Sequence, residues 1–233
     1  MFRTDRKDTR LNKRTCLLWG GLLLSALVLQ FLARRVPGFA QWYAGSVYPG
    51  LMRTLGGISN MFPFALDECF VYMLFFGGNT YIVWGLISIW KKKVSPGVWG
   101  MQFLGLLLKV CIVWLLAFTV TCGINYHRMP FSQMAGLPTE PSTAEELEEL
   151  CLWLTDQIAE TCTRTKIQEN GLTDLPDDLR GKTREAMMEL GREYPELGGW
   201  YPKAKPVMTW KVLSMEFLEG IFGPYTMEAH YNP

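Results

Sequence analysis

The chain has 233 residues, 49% of them hydrophobic and 19% charged, and its formal net charge is only +1. That charge hides three zones: residues 1–15 hold six Lys/Arg and two acids, residues 16–122 hold seven and two, and residues 123–233 hold ten against eighteen. An acidic C-terminal half excludes the usual basic nucleic-acid surface, so we expect no nucleic-acid partner.

Three apolar stretches predict transmembrane helices. Residues 16–33 and 69–90 have no charged side chain, and residues 98–124 have only Lys109. Each approaches or exceeds the roughly 20 apolar residues that cross a bilayer, so lipid is the first expected partner. Lys109 lies near mid-span, where a charge is a functional candidate, but the simpler interpretation is that it snorkels or faces the helix bundle.

Basic residues in the short flanks predict the orientation. The head, residues 1–15, and the loop at residues 91–97, which contains Lys91–Lys93, are both basic. Positive flanks favour the cytoplasm, so we expect residues 34–68 and 125–233 to be extracytoplasmic. Aromatic residues and glycines in the first of these segments indicate a partly helical stretch lying on the membrane surface.

The C-terminal region begins with two predicted helices. A capping box at Ser142–Glu145 and apolar residues at helical spacing predict a helix from about Thr143 to Lys166, broken at Asn170-Gly171. A second, weaker helix is predicted over Asp177–Tyr194. Cys151 and Cys162 fall on the first helix about 16 Å apart, too far for a disulfide, and no CxxC motif indicates a cysteine-based zinc site.

The last thirty residues are predicted to be extended and rich in turns. Val207–Phe217 indicates a strand followed by a turn of helix, and Ile221–Ala229 a short strand interrupted by Pro224. Lys203 and Lys205 are interpreted as exposed loop charges. The predicted fold class is therefore mainly α: three transmembrane helices followed by a partial α+β extracytoplasmic domain.

Four sequence blocks point to a known family. In chain order they are Asn60-Met-Phe-Pro-Phe, Asn125-Tyr-His-Arg-Met-Pro-Phe, Tyr201-Pro-Lys-Ala-Lys-Pro-Val and Gly220-Ile-Phe-Gly-Pro-Tyr-Thr-Met-Glu-Ala. With these blocks the chain resembles the DUF3810 family of bacterial membrane proteins. The resemblance implies a multi-pass plasma-membrane protein that looks like a gluzincin-type zinc metallopeptidase, with a His-Glu-x-x-His helix soon after the Glu-Ala stretch and a peptide or protein substrate.

The printed chain does not contain that motif. Its only histidines are His127 and His230, so we assign no catalytic residue and no metal ligand, and we expect zinc only in a full-length protein. The expectation is a fragment lacking the catalytic helix, and a natural short form is the alternative. We interpret His127 as a local hydrogen-bonding residue and His230 as part of a frayed terminus.

Glu228, Tyr225 and Thr226 are the candidate site residues, since a strand ahead of the active-site helix lines the cleft in such peptidases and can pair with a peptide. The alternative function is a non-enzymatic membrane scaffold or sensor whose extracytoplasmic region binds a partner.

Overall fold

The computed structural model describes residues 13–164, 166, 169 and 178–232, and most of these are helical. The chain divides into two compact units, Met1–Arg128 with Trp200–Pro233, and Met129–Gly199. The helices of eight or more residues are α1 (Lys13–Arg35), α2 (Phe39–Ser46), α3 (Tyr48–Ser59), α4 (Leu66–Trp90), α5 (Pro96–Thr121), α7 (Ala144–Arg164) and α8 (Leu179–Glu193). The shorter elements are the helices α6 (Phe131–Met134) and α9 (Trp210–Met215), the 3-10 turns Gly123–His127 and Pro195–Leu197, and the strands β1 (Lys205–Pro206), β2 (Gly220–Gly223) and β3 (Glu228–Tyr231).

Helices α1, α4 and α5 are each long and apolar enough to cross a membrane, which confirms the three predicted spans as candidates by length and composition. Few of their residues are buried within the protein, as expected of helices whose apolar side chains face lipid. Helix α4 begins at Leu66, three residues before the predicted span, and α5 ends at Thr121 because the chain tightens into the turn at Gly123–His127.

The junction between α4 and α5 follows ordinary capping rules. Lys93 N donates to Ser88 O and Lys92 N to Ile89 O, the bond pair of a Schellman motif, with Lys92 in the left-handed region at φ 54°. Helix α5 then begins where the Ser95 side chain accepts a hydrogen bond from Val98 N. Both ends are therefore satisfied within a five-residue connection.

The segment between the first two spans is partly helical, as predicted. Helices α2 and α3 follow α1 closely, and Tyr43 of α2 is buried with Ala33, Ala40 and Ile124. The Tyr43 hydroxyl donates to Val120 O at 2.7 Å, which joins α2 to the end of α5. Burial raises the pKa of the Tyr43 phenol above its ordinary value.

The unit Met129–Gly199 contains α6, α7 and α8. The capping box of α7 uses Thr143 and Glu146, not the predicted Ser142 and Glu145: Glu146 N donates to Thr143 Oγ1 and Thr143 N to Glu146 Oε2. The box sits one residue later because Thr143 is the residue immediately before the first helical residue, Ala144.

Both predicted helices of this unit are present with slightly shorter bounds. Cys151 and Cys162 lie on α7 and are free thiols, as expected. Helix α8 is capped by Asp178, whose carboxylate accepts from Gly181 N at 2.9 Å. The predicted break at Asn170-Gly171 lies outside the described residues.

The three strands form one sheet in the order β1-β3-β2. Strand β1 is parallel to β3, and β2 is antiparallel to it. The single interrupted strand predicted over Ile221–Ala229 is wrong: Pro224 begins a turn, so the segment folds back as a hairpin with Met227 at φ 54°. The strand predicted from Val207 is also displaced, since β1 is Lys205–Pro206.

Candidate functional site

A buried ion pair lies at the centre of the C-terminal sheet. Lys205 of β1 and Glu228 of β3 have side chains that are 0% and 1% exposed, and Lys205 Nζ donates to Glu228 Oε1. The same ammonium group donates to Ser59 O at 2.6 Å and to Phe64 O at 3.0 Å. All three donors of this lysine are therefore satisfied, which is the condition for burying a charge.

The second oxygen of Glu228 caps helix α4. Glu228 Oε2 accepts from Leu66 N at 2.9 Å and Asp67 N at 3.2 Å, and from the Thr226 hydroxyl at 2.8 Å. The residue before the helix is Ala65, which has no side-chain oxygen to do this. A carboxylate from a distant strand thus satisfies the free amides at the positive end of the helix.

Two acids in the first turn of α4 complete the junction between this helix and the C-terminal sheet. Glu68 accepts from Met208 N at 2.7 Å and from Thr209 N at 3.0 Å, which attaches the segment after β1. Asp67 Oδ1 lies 2.9 Å from His230 Nε2. Asp67 can sit there because Gly223 has no side chain: a Cβ at that position would lie 2.2 Å from Asp67 Oδ2.

His230 is the one residue of this cluster with unsatisfied atoms. Its side chain is 2% exposed, yet neither ring nitrogen makes a regular hydrogen bond to any described residue. The 2.9 Å approach of His230 Nε2 to Asp67 Oδ1 is thus a close contact whose angle departs from hydrogen-bond geometry. The imidazole lines a cavity of about 260 Å³ together with Val71, Tyr72, Leu213 and Ile221, among others.

Strand β2 is one of the two edge strands of the sheet among the described residues, and the other, β1, has only two residues, one of them Pro206 without an N–H. Strand β2 pairs with β3 alone, in the register Ile221 with His230 and Phe222 with Ala229. Asn232 N donates to Glu219 O, so these two residues form a hydrogen-bonded pair of the antiparallel ladder. Hydrogen-bonded and non-hydrogen-bonded pairs alternate along such a ladder. The N–H and C=O groups of Gly220 and Phe222 therefore point away from β3, toward the open edge.

A family model described as "Protein of unknown function (DUF3810)" matches residues 43–233. The chain belongs to the DUF3810 family. The match begins after α1 and includes α4, α5 and the whole cluster, so the junction lies in the part of the chain that characterises the family. Neither the curated proteins nor the solved structures give a significant match to the chain.

Three of the four blocks that indicated the family converge on the cluster of this DUF3810 protein. Asn60 Oδ1 accepts from Lys203 N at 3.1 Å, and Phe64 O accepts from Lys205. Lys205, in the third block, pairs in turn with Glu228, in the fourth block. Blocks that are far apart in the sequence thus meet at the start of α4.

The three sequence-predicted site residues occupy different positions around the junction. Glu228 is its buried acceptor and Thr226 donates to it. Tyr225 stands apart, half-buried against Trp114 with ring centroids 5.3 Å apart. Burial raises the pKa of the Tyr225 phenol above its ordinary value, with a smaller opposing effect from Trp114.

Two interpretations of single residues were wrong. Lys205, taken as an exposed loop charge, is fully buried, because β1 places it beneath Glu228. His230, taken as part of a frayed terminus, is a buried residue of β3, since that strand is central in the sheet. His127 is exposed and lies outside the cluster, and the ammonium group of Lys109 lies 5.8 Å from the ring centroid of Trp19.

Sequence reasoning did not single out Lys205, Asp67 or Glu68 as site residues. The available signal was the pair of acids directly before a predicted span, where helix N-termini favour negative charge. No local pattern distinguishes Lys205 from Lys203, because its partners lie 23 to 146 residues away.

The cluster has metal-ligand atom types but does not fit a zinc ion. One ligand atom each from Asp67, Glu228 and His230 lie within 4.8 Å of one another. Both Glu228 oxygens, however, already accept hydrogen bonds, and a lysine ammonium group and the positive helix end lie against them. A catalytic zinc needs three free ligands, so the described residues form a structural ion-pair network.

Proposed function

We propose that this DUF3810 protein is a membrane-anchored protein that binds an extended peptide along strand β2, as a relative of zinc metallopeptidases. The observation that supports this most is the open edge of β2 on a sheet fixed to α4. Extended peptides add to such edges through main-chain hydrogen bonds. The resemblance of the sequence blocks to such peptidases supplies the peptidase relationship.

Rigidity of the edge supports the same proposal. Strand β2 is hydrogen-bonded to β3. Strand β3 is fixed in turn because Glu228 accepts hydrogen bonds from Lys205 and from the first amides of α4. A strand fixed in this way loses little further freedom when a peptide pairs with it, so less of the binding free energy is spent on ordering. We propose that this edge lies on the extracytoplasmic side of a bacterial plasma membrane, from the basic head and Lys91–Lys93.

A direct test uses a seven-residue host peptide of alternating Thr and Ala with a photoreactive group at one end. The purified protein in lipid nanodiscs is irradiated with increasing peptide, and the half-saturating concentration for cross-linking is measured. Phe222→Pro should abolish saturable cross-linking, because it removes an outward N–H without removing a ladder bond. Phe222→Ala, which keeps the amide, should bind like the parent.

The proposal fails if the host peptide does not cross-link saturably, or if Phe222→Pro binds it as well as Phe222→Ala does. The sheet itself should persist in Phe222→Pro, which is checked by unchanged protease resistance of the C-terminal region.

A scaffold or sensor is the second candidate, and helix α7 favours it. None of its residues is buried within the unit Met129–Gly199, and the exposed side chains Leu147, Leu154 and Ile158 lie on one face of the helix. Such a face fits a protein partner better than water. Peptide cleavage by a form of the protein that carries a His-Glu-x-x-His motif, abolished by mutation of that glutamate, would favour the peptidase relationship over this alternative.

A further inference from the structure

The cavity beside His230 lies on the face of the sheet to which Ile221 of the edge strand β2 also projects. Directly opposed residues of an antiparallel pair project to one face, so Ile221 and His230 lie on the same side of the sheet. Both line the cavity. Phe222 and Ala229 project to the opposite face.

A peptide added at the edge of β2 would continue this alternation. Its residue opposite Ile221 projects to the face of Ile221 and His230, which is the face with the cavity. The next residues of the peptide, on either side, project away. Every second peptide side chain therefore projects to the face with the cavity. Of these, only the residue opposite Ile221 is adjacent to the cavity.

The lining of the cavity defines the chemistry of that side chain. Its walls are Val71 and Tyr72 of α4, Val207, Leu213 and Ile221, while the carboxylate of Glu68 already accepts bonds from Met208 and Thr209. His230, at 2% side-chain exposure, offers almost no polar surface. An apolar cavity of roughly 150 Å³ admits benzene, and this one has about 260 Å³.

We infer that this cavity is the specificity pocket of the peptide site, and that it takes a large apolar side chain such as Leu or Phe. The peptide residue concerned is the one opposite Ile221. This inference rests on the proposed function, because without a peptide on β2 no side chain reaches the cavity along this path.

The test places Ala, Leu, Phe, Lys or Glu at the central position of the same host peptide. Leu and Phe guests should lower the half-saturating concentration about 10- to 100-fold relative to Ala, the range expected when one such side chain is buried. Glu should be no better than Ala. Lys should gain little, because most of the lining is apolar and burying an ammonium group there costs its hydration.

A pocket-filling variant and its control locate the effect. Val71→Trp adds volume at the cavity wall from a position that is 58% exposed, so the fold can accommodate it. Val83→Trp makes the same change on the same helix at 54% exposure, away from the cavity. The Leu and Phe preference should vanish in Val71→Trp and persist in Val83→Trp, with the Ala guest bound equally by both.

The outcomes separate the two proposals. If the Ala guest binds in a manner lost in Phe222→Pro but no guest is preferred, the pocket inference is wrong and the edge proposal stands. A preference for Lys, or one that survives Val71→Trp, also overturns the pocket. If no guest peptide binds, both are wrong.

Discussion

Replacing Lys205 by Met should release the C-terminal sheet from helix α4. The change leaves Glu228, at 1% exposure, as a buried charge without its cation, and it removes the donor to Ser59 O and Phe64 O. Breaking one side of a buried ion pair costs about 3–5 kcal/mol. Lys203→Met, the same charge change at an exposed neighbour, should cost less than about 0.5 kcal/mol.

A double variant separates the ion pair from the loss of packing. Glu228→Gln alone leaves the buried ammonium group of Lys205 without its anion, and it should lower stability by a similar amount. Lys205→Met with Glu228→Gln should cost about 3 kcal/mol less than the sum of the two, because neither charge then remains unpaired, and the Gln oxygen still accepts from Leu66 N and Asp67 N.

The assay is native-state proteolysis of the C-terminal region in nanodiscs. When local opening is fast, the cleavage rate follows the population of the open form. A loss of 3–5 kcal/mol then means cleavage at least about 100-fold faster for Lys205→Met, since each 1.4 kcal/mol is tenfold. Equal cleavage rates in Lys205→Met and Lys203→Met would refute the ion-pair account of this junction.

Three further predictions concern other parts of the molecule. Lys92→Gly should raise the free energy of unfolding by about 0.5–1 kcal/mol in SDS titration, because φ 54° suits glycine, whereas Lys91→Gly should not; a destabilised Lys92→Gly would contradict the Schellman assignment. In a cysteine-free background, an impermeant thiol reagent applied from outside should label a cysteine at position 172 and not one at position 94, and the reverse pattern means an inverted topology. The purified chain should hold well under one zinc per molecule by mass spectrometry, unchanged in His230→Ala, and stoichiometric zinc lost in that variant would overturn the structural interpretation of the cluster.

The elements that were predicted correctly have signals within one short window of sequence. An uncharged stretch of about 20 residues identifies a span wherever the rest of the chain lies, and the apolar spacing of α7 is equally local. The α7 capping box was displaced by one residue because Ser142 and Thr143 are both followed three residues later by Glu, so the sequence offers two equivalent boxes.

Apart from Glu228 and Thr226, the site could not be predicted, because its contacts are distant in sequence. Glu228 meets Leu66 across 162 residues and Lys205 meets Ser59 across 146. Nothing near Lys205 distinguishes a buried, fully bonded ammonium group from an exposed one. The hairpin was missed for a different reason: a turn with Met227 in the left-handed region has no glycine there to mark it.

Hydrogen exchange along β2 tests the central claim most directly. Amides of residues 218–224 are followed by mass spectrometry in the parent protein, with and without saturating host peptide bearing a Leu guest. The account predicts that the outward amides of Gly220 and Phe222 exchange quickly in the free protein and become protected when the peptide is added. Protection that leaves this segment unchanged and arises elsewhere in the chain would contradict peptide binding at the β2 edge.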